Sequence, residues 1–174
     1  MSRLPLPILL ALVLFAALVR LLPFEAPAFW TDEVFSATLA MLPPAETAIA
    51  TLRFDLHPPL YYVQLSLWAL LGASDTWLVQ NSVLFSTLTV LVVGVTAVRA
   101  FGRATGLVAG LAVALAPAEV YYAHSLRMYA MLSCLAVLAW ALGLRLATTK
   151  NVRRTLLALV GVELAIVYSH ALGV

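Results

Sequence analysis

Charge is what this sequence has least of. Only 10% of its 174 residues are Asp, Glu, Lys or Arg, against 64% hydrophobic, and its mean hydropathy is +1.03. Soluble domains carry about 25% charged residues. A water-soluble fold of this size could not hide so much apolar surface, so the solvent for most of the chain must be lipid. Cysteine is nearly absent too. Cys134 stands alone in an apolar run, which excludes an intramolecular disulfide and a cysteine metal cluster and reads as a buried, inert thiol. Lysine is reduced to Lys150; the other bases are arginines. There is no internal repeat, no low-complexity segment and no nucleic-acid-binding motif, so no nucleic-acid partner is expected.

Crossing a hydrocarbon core of about 30 Å takes roughly 20 helical residues. Five stretches meet that length: residues 4–22, 77–98, 104–122, 128–146 and 155–172. A sixth apolar stretch, 60–71, is near 18 Å long at about 1.5 Å per residue, which is short. Cytoplasmic loops concentrate Lys and Arg. Arg3 therefore places the N-terminus inside. Arg99 and Arg103 mark one inner loop, and Arg145, Lys150, Arg153 and Arg154 mark another. The chain leaves the first span outside and must be inside again by Arg99, which needs an odd number of crossings. Residues 77–98 supply that crossing alone, so 60–71 is expected to lie in the outer interface, a depth that suits Tyr61, Tyr62 and Trp68. Residues 1–28, ending in Ala26-Pro27-Ala28, also fit a signal-peptide pattern.

The first outer loop, 23–76, then holds six of the eight acids: Glu25, Asp32, Glu33, Glu46, Asp55 and Asp75. Prolines and a glycine divide it into three short helices near 32–41, 45–54 and 59–71. Val34, Thr38 and Met41 form one stripe of the first helix, and Phe35 and Leu39 another, so that helix is expected to lie on the membrane surface.

Four strings carry residue types suited to chemistry. In Trp30-Thr31-Asp32-Glu33, adjacent carboxylates on a helix point about 100° apart. One can face a cleft while the other makes a supporting contact; equally, both are favoured at a helix N-terminus by its dipole. Asp55-Leu56-His57-Pro58-Pro59 holds a histidine near the start of a helix, either as a site residue or as part of a surface turn. Glu119 to Tyr129 brings His124 and Arg127 to an outer turn, where an arginine can bind phosphate through paired hydrogen bonds or snorkel to headgroups. Tyr168-Ser169-His170 ends the last span. Glu163, inside that span, is a costly intramembrane acid, either functional or buried with a structural partner.

The order of these strings is specific. An acidic pair follows the first span. His57-Pro58-Pro59-Leu60-Tyr61-Tyr62 comes next, and then Tyr121-Tyr122 with Arg127-Met128-Tyr129-Ala130 after the third span. This pattern resembles the membrane glycosyltransferases of the GT-C type. It is most similar to the protein O-mannosyltransferase branch, glycosyltransferase family 39, which includes the lipid A aminoarabinose transferases. The resemblance covers nearly the whole chain.

It implies an all-α polytopic bundle with interfacial helices in the first outer loop, a multi-pass protein of the plasma membrane with its site on the outer face. The implied donor is a sugar on a polyprenyl phosphate, and the acceptor is a hydroxyl of a protein, lipid or glycan. Asp32 would be the general base, with Glu33 supporting it or a divalent metal. His57, Arg127 and Tyr129 would line the donor site, Arg127 near the lipid phosphate, with Asp55, Glu119, His124 and His170 nearby. Such chemistry needs a carboxylate to take the hydroxyl proton and cations to stabilise the departing phosphate, both strengthened at low dielectric.

Where the family usually carries Gln-Glu, this chain has His124-Ser125, and Glu119 is the nearest acid. Family members are usually far longer, so the chain is expected to be the N-terminal portion of such an enzyme. Two other classes fit the composition: a transporter or channel fragment using Glu163, and a non-catalytic membrane scaffold with a degenerate site.

Overall fold

The computed structural model describes residues 4–22 and 28–171. Arg3, Pro23, Glu25, Ala26, Pro27 and Leu172, the last residue of the expected fifth span, lie outside the described residues. The described chain is all-α, with nine helices and no strand: α1 (Leu6–Leu21), α2 (Thr31–Ala40), α3 (Pro44–Phe54), α4 (Leu60–Ala69), α5 (Asp75–Phe101), α6 (Arg103–Ala114), α7 (Pro117–Ala123), α8 (Tyr129–Leu146) and α9 (Val152–Val167).

Two of these helices, α5 and α8, are long and apolar enough to cross a membrane, and a third crossing is available if α6 and α7 count as one. α1 is apolar but has 16 residues, and α9 carries Arg153, Arg154 and Glu163 within its 16. The stretch 104–122, expected as one straight span, is broken: α6 and α7 meet at 54°. Pro117 explains the break, because proline has no N–H for the carbonyl four residues earlier and its ring clashes with that carbonyl. In the acid-rich segment, α2, α3 and α4 start and stop close to the expected boundaries. α4, at 10 residues, is about 15 Å long and too short to cross.

α5 is the hub and packs against α1, α4, α6, α7 and α8. Its pattern is inverted relative to a water-soluble helix. Asn81, Ser82, Ser86, Thr87 and Thr89 are buried, while Leu84 and Phe101 are exposed. Lipid is as apolar as leucine, so packing and interhelical hydrogen bonds hold such a bundle together. Ser82 accordingly donates to the Ser125 carbonyl at 2.7 Å. α5 turns into α6 at Gly102, whose φ of 99° favours glycine. One turn on, Gly106 lies so close to α5 that a Cβ would sit 2.1 Å from Val98 and 2.8 Å from the Gly94 carbonyl oxygen.

The acid-rich segment is stitched to itself and to the bundle. Thr47 of α3 donates to the Leu39 carbonyl at 2.9 Å, which ties α3 to α2. Trp68 and Trp77 stack with centroids 4.9 Å apart, and each indole N–H donates to the other's carbonyl, at 2.9 and 3.3 Å. α4 therefore folds back tightly on the start of α5. Leu39, Tyr61, Tyr62, Leu65, Leu78, Leu126 and Met131 form one core between α2, α4, α5 and α8.

Gly106→Leu is expected to force α5 and α6 apart and to cost about 1–3 kcal/mol, the usual range for overpacking. Unfolding of the detergent-solubilised protein, compared with Gly143→Leu, checks this, since a Cβ at Gly143 meets nothing within 4 Å.

Candidate functional site

The site begins with the first turn of α2. The Glu33 carboxylate reaches back to the Trp30 N–H at 3.4 Å, closing the turn as in a capping box. Rotation between neighbours then separates the two acids. Glu33 points inward and is buried, whereas the Asp32 side chain is 49% exposed. Glu33 Oε1 accepts from the Ser125 hydroxyl at 2.9 Å and from the Leu126 N–H at 2.8 Å. A carboxylate on the acid-rich segment thus grips the turn that links α7 and α8.

Arg127 follows directly from that grip and is almost fully buried. Its Nη1 donates to the Asp32 carbonyl at 3.1 Å, to Tyr62 Oη at 3.3 Å and to Ser36 Oγ at 3.4 Å. Its Nη2 lies 3.8 Å from the Asp32 carboxylate, a loose ion pair. Tyr62 donates its own hydroxyl proton to the Asp55 carboxylate, and Asp55 also accepts from the His57 N–H at 3.2 Å. Burial and the bond to Asp55 push the Tyr62 phenol well above the ordinary range, so it stays protonated and able to donate. One polar line runs from Asp32 through Arg127 and Tyr62 to Asp55 and the entry of α4.

His57 continues that line to the end of α9. Its ring lies 4.4 Å from that of His170, and Tyr129 packs 6.2 Å beyond His170. The Ala171 N–H donates to His57 Nδ1 at 3.4 Å, and the Leu60 N–H donates to the Tyr168 carbonyl at 2.9 Å. A groove of about 300 Å³ runs between the 55–59 turn and the end of α9, lined by Leu52, Asp55, His57 and Tyr168.

Glu119 does not join Asp32. Its carboxylate accepts from Ser133 at 2.5 Å and from Ser86 at 3.2 Å, facing α8 and α5. His124 Nε2 donates to the Arg20 carbonyl at 2.6 Å. Glu163 is exposed beside a groove of about 560 Å³ between α8 and α9, with Trp140 and Leu159. Sequence reasoning overlooked Arg20, which is completely buried. A charged residue one position from the end of an apolar helix was the signal.

The donor set does not fit a divalent metal. Both oxygens of Glu33 accept protein N–H or O–H groups, and Asp32 faces a guanidinium. Among the described residues no group of three or more His, Cys, Asp and Glu could hold a metal ion.

Compared with known protein families, curated proteins and solved structures, the chain matches none significantly.

Two expectations follow from this geometry. Glu33→Ala would leave the Ser125 hydroxyl and the Leu126 N–H buried without an acceptor, at about 1–3 kcal/mol for each. Asp32→Asn, half-exposed, should change stability by less than about 1 kcal/mol; thermal unfolding of both variants in detergent checks the contrast.

The second concerns pH. Burial, then the neighbouring His57 and the Arg127 charge, hold the His170 imidazole below its ordinary value. The folded state therefore resists protonation more than the unfolded chain. The stability His170 contributes is complete above about pH 6.5, the unfolded value, and is lost as pH falls through the lower folded value. Hydrogen exchange at Leu60, corrected for intrinsic rate, should speed up on acidification, and His170→Gln should flatten that response.

Proposed function

We propose that this chain is a membrane glycosyltransferase module of the GT-C kind, which transfers a sugar from a polyprenyl phosphate to an acceptor hydroxyl at the outer face of the membrane. The observation that carries this reading is the pairing of a half-exposed carboxylate, Asp32, with a buried guanidinium, Arg127, 3.8 Å away. The first is accessible to a hydroxyl. The second is a fixed positive charge in a site of low dielectric.

In this reading α1, α5, the α6–α7 pair, α8 and α9 are the five spans, with the N-terminus in the cytoplasm of a plasma-membrane protein. Helices α2, α3 and α4 lie in the outer interface. Two features support that placement. Val34 and Met41 are exposed on one face of α2, while Leu39 on the other is buried. Ile49, Leu52, Phe54 and Leu56 are exposed along and beyond α3, an apolar edge suited to the headgroup boundary.

The reaction is a displacement. The acceptor oxygen attacks the anomeric carbon, and its proton passes to the Asp32 carboxylate as the new C–O bond forms. The bond from the anomeric carbon to the phosphate oxygen breaks, and its electron pair leaves with the phosphate. Arg127 faces that developing charge through Nη2, which makes only the loose 3.8 Å pair with Asp32, while Nη1 is held by Asp32 O, Ser36 and Tyr62. Glu33 acts through the backbone by holding the 125–127 turn, and Tyr62 and Asp55 orient the guanidinium. His57, Tyr129 and His170 form the wall toward the donor sugar. The acceptor is a hydroxyl on a protein, lipid or glycan.

A transporter reading would route a proton or ion through Glu119 and Glu163. Glu119 is committed to two serines, whereas Glu163 opens between α8 and α9. The glycosyltransferase reading uses the residues that converge.

Asp32→Asn is expected to lower sugar transfer from a polyprenyl-phosphate sugar by at least 100-fold, the scale of a lost general base, with expression and unfolding temperature unchanged. Reconstituted vesicles given radiolabelled donor check this, and transfer retained by the variant would remove Asp32 from the role.

A further inference from the structure

The most completely buried charge in the described chain belongs to neither the candidate site nor the sequence pattern that pointed to it. Arg20 has no exposed surface, so it is no lipid-snorkelling arginine. Its Nη1 donates to the Ala16 carbonyl at 3.0 Å and to the Ala114 carbonyl at 3.2 Å. Its Nη2 donates to the Val113 carbonyl at 3.5 Å, and its Nε to Ser86 Oγ at 2.8 Å.

One carbonyl it meets on α6, that of Ala114, is left in need by the Pro117 break; the other, that of Val113, also accepts from the Ala116 N–H at 3.3 Å. In an unbroken helix, residues 117 and 118 would donate to the carbonyls of Val113 and Ala114. Proline has no N–H, and the bend carries residue 118 away. The guanidinium supplies the replacement donor at Ala114 and places a cation at the C-terminus of α6, where the helix dipole favours one.

The contacts continue across the break. Ser86, which accepts from Arg20, lies within hydrogen-bonding distance of the Glu119 carboxylate and backbone carbonyl. Glu119 also accepts from Ser133. The positive charge at the end of α6 and the negative charge on α7 are thus joined through one hydroxyl. At the far end of α7, His124 donates to the backbone carbonyl of Arg20 itself. One residue of α1 therefore reaches the start of α7 through Ser86 and meets its end directly at His124, and α7 delivers Ser125, Leu126 and Arg127 to Glu33 and Asp32.

We propose that Arg20 is a positioning residue: it fixes the bend at Pro117, and with it the reach of the 124–127 turn toward Asp32. Its consequence for catalysis rests on the glycosyltransferase reading; its consequence for geometry does not. A lysine keeps the charge but cannot donate in three directions from a planar fork. Arg20→Lys should therefore rescue only part of what Arg20→Gln loses.

The experiment measures distances by pulsed electron spin resonance in a Cys134→Ala background. One pair of spin labels replaces Val34 and Tyr122, which are exposed on α2 and α7. A reference pair replaces Trp140 and Leu157, exposed on α8 and α9. Arg20→Gln is expected at least to double the width of the 34–122 distribution and to leave 140–157 unchanged, with Arg20→Lys between the two. An unchanged 34–122 distribution, or equal broadening of both pairs, would overturn the proposal. Should Arg20→Gln fail to fold, Arg20→Lys alone decides it by the same criterion. Sugar transfer is measured in parallel. If the parent protein shows none, the glycosyltransferase reading falls while the distances still judge Arg20. If Asp32→Asn abolishes transfer and Arg20→Gln leaves it at the parental rate, the catalytic half of the proposal is wrong.

Discussion

A buried carboxylate that bonds a turn 93 residues away in sequence organises the end of this molecule that carries the candidate site. Glu33 accepts from Ser125 and Leu126, and that bond fixes where Arg127 emerges. Arg127 is deeply buried, and its Nη1 finds Asp32 O, Ser36 and Tyr62 in place on α2 and α4, while its Nε has no hydrogen-bond partner among the described residues. Removing Glu33 would expose more than one unmet donor, because Arg127, Tyr62 and Asp55 are arranged in series behind it. In a low-dielectric interior such a series is strong when complete and costly when broken. This explains how three short helices, none able to hold its shape alone, form one rigid layer on the bundle.

The division of labour between Asp32 and Glu33 is a property of helix geometry. Neighbouring residues differ by 100°, so one acid of an adjacent pair must turn from the core if the other enters it. The core side is filled by the acid with more bonds, and the acid left outside keeps a free carboxylate edge. That edge faces a guanidinium whose other bonds are to neutral groups. The site therefore carries its charge without a tight ion pair. A close bidentate pair would hold Arg127 on Asp32; a separation of 3.8 Å leaves both groups able to meet a third partner.

Much of this was legible in the sequence. Proline and glycine punctuation located α2, α3 and α4. Apolar length located α5 and α8, while the two stripes of α2 did not tell which would be buried: Leu39 is, and Val34 and Met41 are exposed. The position of the acids identified the segment that forms the polar line. What could not be read was the partner of each polar group. Tyr62 looked like an interfacial aromatic, and its hydroxyl instead bridges Arg127 and Asp55. Ser125 looked like a departure from a family pattern, and its hydroxyl and carbonyl are both bonded, to Glu33 and Ser82. Pairings between residues 43 to 95 positions apart leave no local period. The bend at Pro117 had a local signal, but an apolar count over 104–122 averages it away.

Arg20 shows why hydropathy alone undercounts polar structure in a membrane protein. A single charge barely lowers the mean of a 19-residue window, yet at this depth it must be matched at nearly every donor. The chain meets that demand with a defect in another helix. The Ala114 carbonyl freed at the end of α6 would be costly if exposed to lipid, and the guanidinium would be costly without acceptors. Brought together, each removes the other's penalty. A kink and a buried charge that look like separate liabilities in sequence are one feature in three dimensions. The feature sits where α7 must turn to carry Arg127 to Asp32, so the constraint that makes the bundle tolerable in lipid also sets the geometry of the candidate site.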